Sequence, residues 1–181
     1  MIVERVSVGD AVLPFNASAY AGDPKFGAPA GGALVDSGFT FPAFAAPVLA
    51  ALVGELRAQY AGTMDGATLA RLLNTSAPNG AWAPPYCVPA TMAELDGFPT
   101  VTYTLRASGS PAATATLAFP PEHYLFAPNA SLPLCFALGL QSTGPGADTV
   151  IGQMAMQGHT VFYDQDEKVM AFVPNAGSSK L

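Results

Sequence analysis

The segment Ala33-Leu34-Val35-Asp36-Ser37-Gly38 is where the sequence most plainly places chemistry. A short apolar run stops at a carboxylate, which is followed by a hydroxyl and a glycine. An Asp at such a strand-to-turn junction is held out from the strand, and Gly38 lets the backbone fold tightly behind it. Neighbouring N–H groups and a hydroxyl can then hold such a carboxylate in place. A carboxylate held this way can take a proton from water or deliver one to a reacting group. The same residues also suit an ordinary exposed turn, since Asp, Ser and Gly are all turn formers.

Other arrangements of reactive residues are poorer. His123 and His159 do not combine with the cysteines at zinc spacings, and they read as structural or surface residues. No metal or other cofactor is expected. The chain has no Gly-x-Ser-x-Gly nucleophile elbow and no Gly-x-x-x-x-Gly-Lys phosphate loop. Trp82, in a Pro-rich stretch, reads as a packing residue before a peptide contact. Cys87 and Cys135 fit either two buried thiols of an intracellular chain or one disulfide of a secreted chain. Asn16-Ala17-Ser18, Asn74-Thr75-Ser76 and Asn129-Ala130-Ser131 match the N-glycosylation pattern and are expected on exposed loops. Ser179-Lys180-Leu181 is a peroxisomal address, which conflicts with glycosylation. The secretory route is favoured because the cysteine pair fits it too, giving a secreted or vacuolar/lysosomal location.

Composition narrows the class. Half of the 181 residues are hydrophobic and 11% are charged, so the chain can bury a sizeable core. Only seven are Lys or Arg and the net charge is −6, so nucleic acid is not an expected partner. An acidic surface suits work at low pH. Gly 18 and Pro 17, with many Val, Thr, Phe and Tyr, point to short strands joined by turns. Met1-Ile2-Val3-Glu4-Arg5 has neither the basic region nor the apolar region of a signal peptide, and the chain reads as a piece of a longer protein. The uncharged stretch from Ser37 to Gly54 is interrupted by Pro42 and Pro47 and is too short to cross a membrane.

The elements that must position Asp36 follow from periodicity. Ile2 to Val8 alternates and reads as a strand, with Gly9-Asp10 turning into Ala11-Val12-Leu13. Tyr20 to Gly32 reads as a loop, and Ala33–Val35 as a short strand. A helix is predicted from near Pro47, with Val48, Leu49, Leu52, Val53, Leu56 and Tyr60 on one face and Gly62 past its end. Asp65 caps a shorter helix carrying Leu69, Leu72 and Leu73. Ala77 to Pro89 reads as a loop. Strands are predicted over 101–105, 115–119, 123–127, 135–140, 160–163 and 169–173. The expected class is mostly β, antiparallel sheets with a few short helices.

In this order the features resemble the C-terminal lobe of a pepsin-like aspartic protease, especially its plant-type members, over residues 1–174, with 175–181 as a tail. Ile2-Val3-Glu4-Arg5-Val6-Ser7-Val8-Gly9 is similar to the lobe's opening strand. Asp36-Ser37-Gly38 is similar to the second catalytic Asp-Thr/Ser-Gly. Cys87, Phe98-Pro99-Thr100-Val101-Thr102-Tyr103 and Cys135-Phe136 resemble a disulfide bracket around a hairpin. Val150-Ile151-Gly152 resembles the segment that threads behind the catalytic loop, and Val161-Phe162-Tyr163-Asp164 with Ala171-Phe172 the closing hairpin. The resemblance implies a pepsin-like lobe, a Cys87–Cys135 disulfide, and Asp36, Ser37 and Gly38 in catalytic positions. It also implies that Phe39 and Thr40 face a peptide or protein substrate. Two departures stand out. Phe39 occupies the place of the family's usual Thr or Ser, whose hydroxyl donates to the carboxylate. Gln153 replaces the more common Asp after the threading segment.

The implied mechanism needs two carboxylates around one water, one holding a proton while the other acts as base. No second Asp-Ser/Thr-Gly is present, so the expected partner is an N-terminal lobe of the same protein. The resemblance leaves three functions open. The first is an aspartic endopeptidase lobe, inactive by itself. The second is a non-catalytic pepsin-fold protein that binds an inhibitor, a glycan or a partner without cleaving. The third is a homodimer that pairs Asp36 with its twin.

Overall fold

A computed structural model describes residues 1–14, 32–75, 87–107, 110–127, 135–144 and 149–175. In chain order its elements are β1 (Ile2–Val8), β2 (Ala11–Val12), β3 (Ala33–Val35), β4 (Ala43–Ala45), α1 (Ala46–Gln59), α2 (Gly66–Leu72), β5 (Val88–Pro89) and α3 (Met92–Leu95). They continue with β6 (Val101–Ala107), β7 (Ser110–Phe119), α4 (Pro121–Tyr124), β8 (Leu125–Phe126), β9 (Cys135–Leu138) and β10 (Gln141–Gly144). The last are β11 (Thr149–Ile151), α5 (Gln153–Met156), β12 (His159–Asp164) and β13 (Val169–Pro174). The protein is mostly β with a few short helices, as the composition implied.

The opening strand pairs with β2 on one side and β6 on the other, and β7 completes an antiparallel sheet in the order β2-β1-β6-β7. Gly9 makes the first turn at φ +55, a conformation that favours glycine. Val3, Val6 and Val8 are all buried. Strict alternation cannot place Val3 and Val6 on one face, but the register shifts between Val3 and Arg5. That bulge flips the phase of the strand and lets both valines reach the core. From β6 and β7, Val101, Tyr103, Leu105, Leu117 and Phe119 are buried as well. The Tyr103 ring lies 5.2 Å from Phe44 of β4 and 4.6 Å from Phe119. Phe44 thereby ties the first sheet to the second.

Helix α1 carries Pro47 in its first turn and buries Val48, Leu49, Leu52, Val53 and Leu56. The chain leaves it through Tyr60 and then Gly62, at φ +91. The Gln59 amide donates to the Val8 carbonyl at 2.8 Å, and the Tyr60 ring stacks on Phe98 at 3.6 Å. Helix α2 starts at the predicted cap, where the Asp65 carboxylate accepts from Ala67 N (3.1 Å) and Thr68 N (3.0 Å). These N–H bonds, with the Thr68 hydroxyl contact foremost, hold the Asp65 carboxyl below its usual range. Cys87 and Cys135 form a disulfide with Cα atoms 5.3 Å apart. The bond secures the small sheet β5-β9-β8, and the Arg71 guanidinium donates to the Cys87 carbonyl at 3.2 Å.

Three expectations change. Residues 123–127 do not form one strand. Pro120-Pro121 starts a helical turn, α4, closed by His123 N to Pro120 O at 2.9 Å, and only Leu125–Phe126 is extended. The loop predicted to Pro89 ends earlier, because Val88 and Pro89 pair with Phe136 and Cys135 beside the disulfide. Residues 76–86 of that loop, with Trp82, lie outside the described residues, as do 15–31 of the loop before β3. The third change concerns β4, β10 and β11. Each is only three or four residues long, and together with β3 they form a sheet in the order β10-β4-β11-β3. Two of its pairings are parallel, β3 with β11 and β4 with β10.

The cross-link closes a separation of 48 residues. Replacing both cysteines with Ala is expected to lower the unfolding free energy by about 4 kcal/mol in the chain-entropy model, measured by urea unfolding. A second prediction concerns acid. Burial holds the half-buried His123 imidazole below its ordinary value, Glu122 opposes this and His159 adds to it. Its Nδ1 is buried with no partner among the described residues. The unfolded chain protonates this ring near pH 6.5 whereas the folded chain resists. The stability that the neutral ring contributes is complete above that pH and is lost as pH falls through the lower folded value. His123→Gln should therefore show a smaller fall in melting temperature between pH 7 and 4.5 than the parent. Equal falls would contradict this.

Candidate active site

Strand β3 ends at Asp36, whose N–H donates to the Ile151 carbonyl of β11 at 3.1 Å. The next residues turn back at once. Phe39 N donates to Asp36 O at 3.2 Å, and Gly38 N donates to the Asp36 carboxylate, at Oδ1, at 2.8 Å. The Asp side chain thus closes a turn on its own backbone, which fixes the direction of the carboxylate. Gly38 suits this turn by close approach. A Cβ there would lie 3.1 Å from Oδ1. Asp36 and Phe39 are half-buried, while Ser37, Gly38 and Thr40 are exposed.

The loop is held from behind by β11 and the start of α5. Gln153 N donates to the Phe39 carbonyl at 2.7 Å, and Met154 N donates to the Thr40 carbonyl at 2.9 Å. Between them Gly152 is pressed against the loop. A Cβ on it would stand 2.5 Å from Phe41 O and 2.6 Å from Phe39 O. Only a residue without a side chain allows the two backbones to meet. Gln141 N, donating to Pro42 O at 3.1 Å, fastens the loop's far end to β10.

All five residues singled out around the motif, Asp36 to Thr40, therefore share one turn. Among the described residues, Gly38 N–H is the sole donor to the Asp36 carboxylate. Neither the Ser37 hydroxyl nor the Thr40 hydroxyl bonds to it, so Thr40 does not take over the donor role that Phe39 cannot perform. One oxygen is held and the other is left for water or a second group. Sequence reasoning missed the parts played by the main chain. The carbonyls of Phe39, Thr40 and Pro42 accept the bonds that fix the loop, and no residue type announces such a role. Gly152 was the one visible signal, a glycine after two apolar residues. Leu34, on the strand that carries Asp36, exposes 45% of its surface. Asn74 is exposed just beyond α2, whereas Asn16 and Asn129 lie outside the described residues.

A half-buried carboxylate on a clamped turn can accept a proton from water or hold one for transfer, but it cannot do both in one encounter. A lone carboxylate of this kind has the chemistry of one member of an acid–base pair. Compared with known families, residues 1–174 match the model described as xylanase inhibitor C-terminal. No curated protein matches the chain.

The clamp makes a paired prediction. Gly152→Ala should destabilise the fold by about 2–3 kcal/mol, because the methyl meets backbone that cannot yield. Gly54→Ala, at an exposed position of α1 where a Cβ meets nothing within 4 Å, should stabilise by roughly 0.5–1 kcal/mol. Denaturant unfolding of both variants checks this, and equal effects would remove the argument for the clamp.

Proposed function

The chain belongs to the xylanase inhibitor C-terminal family, whose fold is pepsin-like, and we propose that it is the second lobe of an aspartic endopeptidase. Asp36 is then one of two catalytic carboxylates, and the other comes from an N-terminal lobe of the same protein. The observation that carries this reading is the Asp36 turn. Its carboxylate is fixed by Gly38 N–H at 2.8 Å, and its loop is clamped from behind at Gly152. The Gly38 bond alone is that of an ordinary turn; what supports the reading is that this turn is also clamped by a strand from far downstream. With a second carboxylate close by, mutual repulsion keeps one proton on the pair. The charged member takes a proton from water as it attacks the peptide carbonyl, and the protonated member delivers one to the developing oxyanion or leaving amine. Ser37, exposed at the turn, bonds across to the other lobe's loop, and Phe39 and Thr40 flank the substrate. Residues 1–174 form the lobe. Exposed Asn74 and the disulfide support a secreted protein glycosylated at its sequons.

A second reading has its own support. Phe39 removes a hydroxyl donor from the carboxylate's neighbourhood, and the family is described by inhibition rather than cleavage. On that reading the turn is a relic, and the lobe belongs to a protein that binds a xylanase or another partner. No helix among the described residues is long and apolar enough to cross a membrane, which both readings accommodate.

The test is digestion of a denatured protein at pH 3–5 by this chain, by the complete product of its gene, and by that product carrying Asp36→Asn. The chain alone should be inactive, and the complete product should cleave. Asp36→Asn should reduce its kcat at least about a thousandfold, as expected when one of two cooperating catalytic groups is lost. A complete product that cleaves nothing, yet inhibits a xylanase equally with Asp or Asn at 36, would establish the second reading. Cleavage by this chain alone, second order in its concentration, would point to the homodimer.

A further inference from the structure

Asp65-Gly66 and Asp96-Gly97 each place an aspartate directly before a glycine. Such a pair carries its own electrophile and nucleophile. The glycine N–H lies one residue beyond the side-chain carboxyl, and the missing Cβ leaves the path from that nitrogen to the Asp Cγ open. The fold treats the two pairs in opposite ways. Asp65 caps α2, and its carboxylate accepts from Ala67 N at 3.1 Å and Thr68 N at 3.0 Å. Asp96 stands just past α3 and is exposed, as is Gly97. The turn is closed around them by Phe98 N, which donates to Leu95 O at 3.0 Å. Among the described residues nothing bonds the Asp96 carboxylate or the Gly97 N–H. Packing also demands the glycine. A Cβ at 97 would lie 3.3 Å from Tyr60 Cε2, on the ring that stacks against Phe98. The core contact of Tyr60 thus keeps a glycine behind an unengaged aspartate.

We infer that Asp96-Gly97 is a site of spontaneous backbone modification, where Asp96 converts to isoaspartate. The Gly97 nitrogen attacks Cγ of the protonated Asp96 carboxyl. An N–C bond forms, a C–O bond breaks, and the hydroxyl leaves with the amide proton as water, which closes a cyclic imide. Water then adds back to one of the imide carbonyls. Opening at Cγ restores Asp96. Opening at the main-chain carbonyl carbon routes the chain through the side chain and leaves the former main-chain carbonyl as a free carboxylate. No oxidant, reductant or cofactor enters the balance. The neutral acid is the reactive form, because a carboxylate has no comparable leaving group. At Asp65 the Thr68 hydroxyl and N–H, foremost, hold the carboxyl below its usual range, so that side chain stays ionised as well as tied down. The product at 96 bears on packing. Isoaspartate puts an extra main-chain carbon between Glu94 and Phe98. The Tyr60 hydroxyl donates to the Glu94 carbonyl, and the Tyr60 ring stacks on Phe98 at 3.6 Å. A longer chain between these anchors cannot keep both, so the modified lobe loses a hold on the end of α1. The inference is independent of what Asp36 does.

Controlled ageing tests this without an activity assay. The folded chain is kept at 37 °C and pH 6 for several weeks beside Asp96→Glu, whose longer side chain closes only a larger, less favoured ring. After reduction and tryptic cleavage, electron-transfer fragmentation locates isoaspartate at residue 96 in peptide 72–106 and at residue 65 in peptide 58–71. Asn79-Gly80 shares the first peptide and reacts in the same way with loss of ammonia, so position is read from the fragments and not from peptide mass. Isoaspartate at 96 should exceed that at 65 by about fivefold or more, the factor by which a typical cap bond suppresses opening. Asp96→Glu should show none at 96. In urea, a share of the aged parent equal to its isoaspartate-96 content should unfold at lower denaturant, and no such share should appear in aged Asp96→Glu. Equal or greater isoaspartate at 65 would overturn the inference. So would its absence at 96 in the folded chain when a sample aged in urea forms it, since the turn would then be protective. Matching unfolding profiles of aged parent and variant would overturn the effect assigned to packing.

Discussion

The backbone contact between Gly152 and the loop after Asp36 is the constraint on which the rest of this structure turns. Two main chains approach until a methyl group on one would overlap the carbonyls of Phe39 and Phe41 on the other. The approach lets Gln153 and Met154 donate to the Phe39 and Thr40 carbonyls. Those bonds hold the loop where β3 and β4 would otherwise leave it as a free link between two short strands. Strand β11 is inserted between β3 and β4, parallel to one and antiparallel to the other. Consecutive strands of the chain are therefore separated by a strand from far downstream, and the loop joining them must cross over the intruder. Asp36 sits at the start of that crossing.

The surrounding core makes this threading stable. Ile151 and Ala155, on either side of Gly152, are fully buried. Phe44 of β4 meets Tyr103 of the first sheet, and α1 follows β4 without a break and buries five large side chains. Strands of three residues have too few ladder bonds to persist alone. Their order comes from the buried side chains on neighbouring elements, so the position of the carboxylate depends on packing well away from it. The disulfide acts in another region, on β5 and β9, where the two cysteines pack with Ala137 in a small cluster of their own.

How much of this could be read from the sequence depends on the range of each interaction. Strand β1, helix α1 and the Asp65 cap are local, and their residues announce them through spacing and side-chain chemistry. The Asp36-Ser37-Gly38 turn is local as well, and its bond from Gly38 N to the carboxylate follows from the three residues themselves. The strands β4, β10 and β11 were not legible as elements. A run such as Thr149-Val150-Ile151 is too short to show a period, and its partner Ala33-Leu34-Val35 lies more than a hundred residues away. The bulge in β1 was hidden for a similar reason, since Glu4 and Arg5 look like ordinary strand residues until β6 sets the register. Residues 121–124 misled in the opposite sense. Tyr124 and Leu125 suit a strand, but Pro120-Pro121 imposes a helical turn first. Only the resemblance to pepsin-like lobes gave Val150-Ile151-Gly152 its role behind the loop.

The clamp can be observed directly. Scalar coupling across a hydrogen bond is detectable by NMR between an amide nitrogen and the carbonyl carbon that accepts its proton. The account predicts such a coupling from Gln153 nitrogen to Phe39 carbonyl carbon, comparable with those across the β6–β7 ladder. Couplings throughout β6–β7 with none between Gln153 and Phe39 would contradict it, because the Asp36 loop would then be held by something other than the backbone that threads behind it.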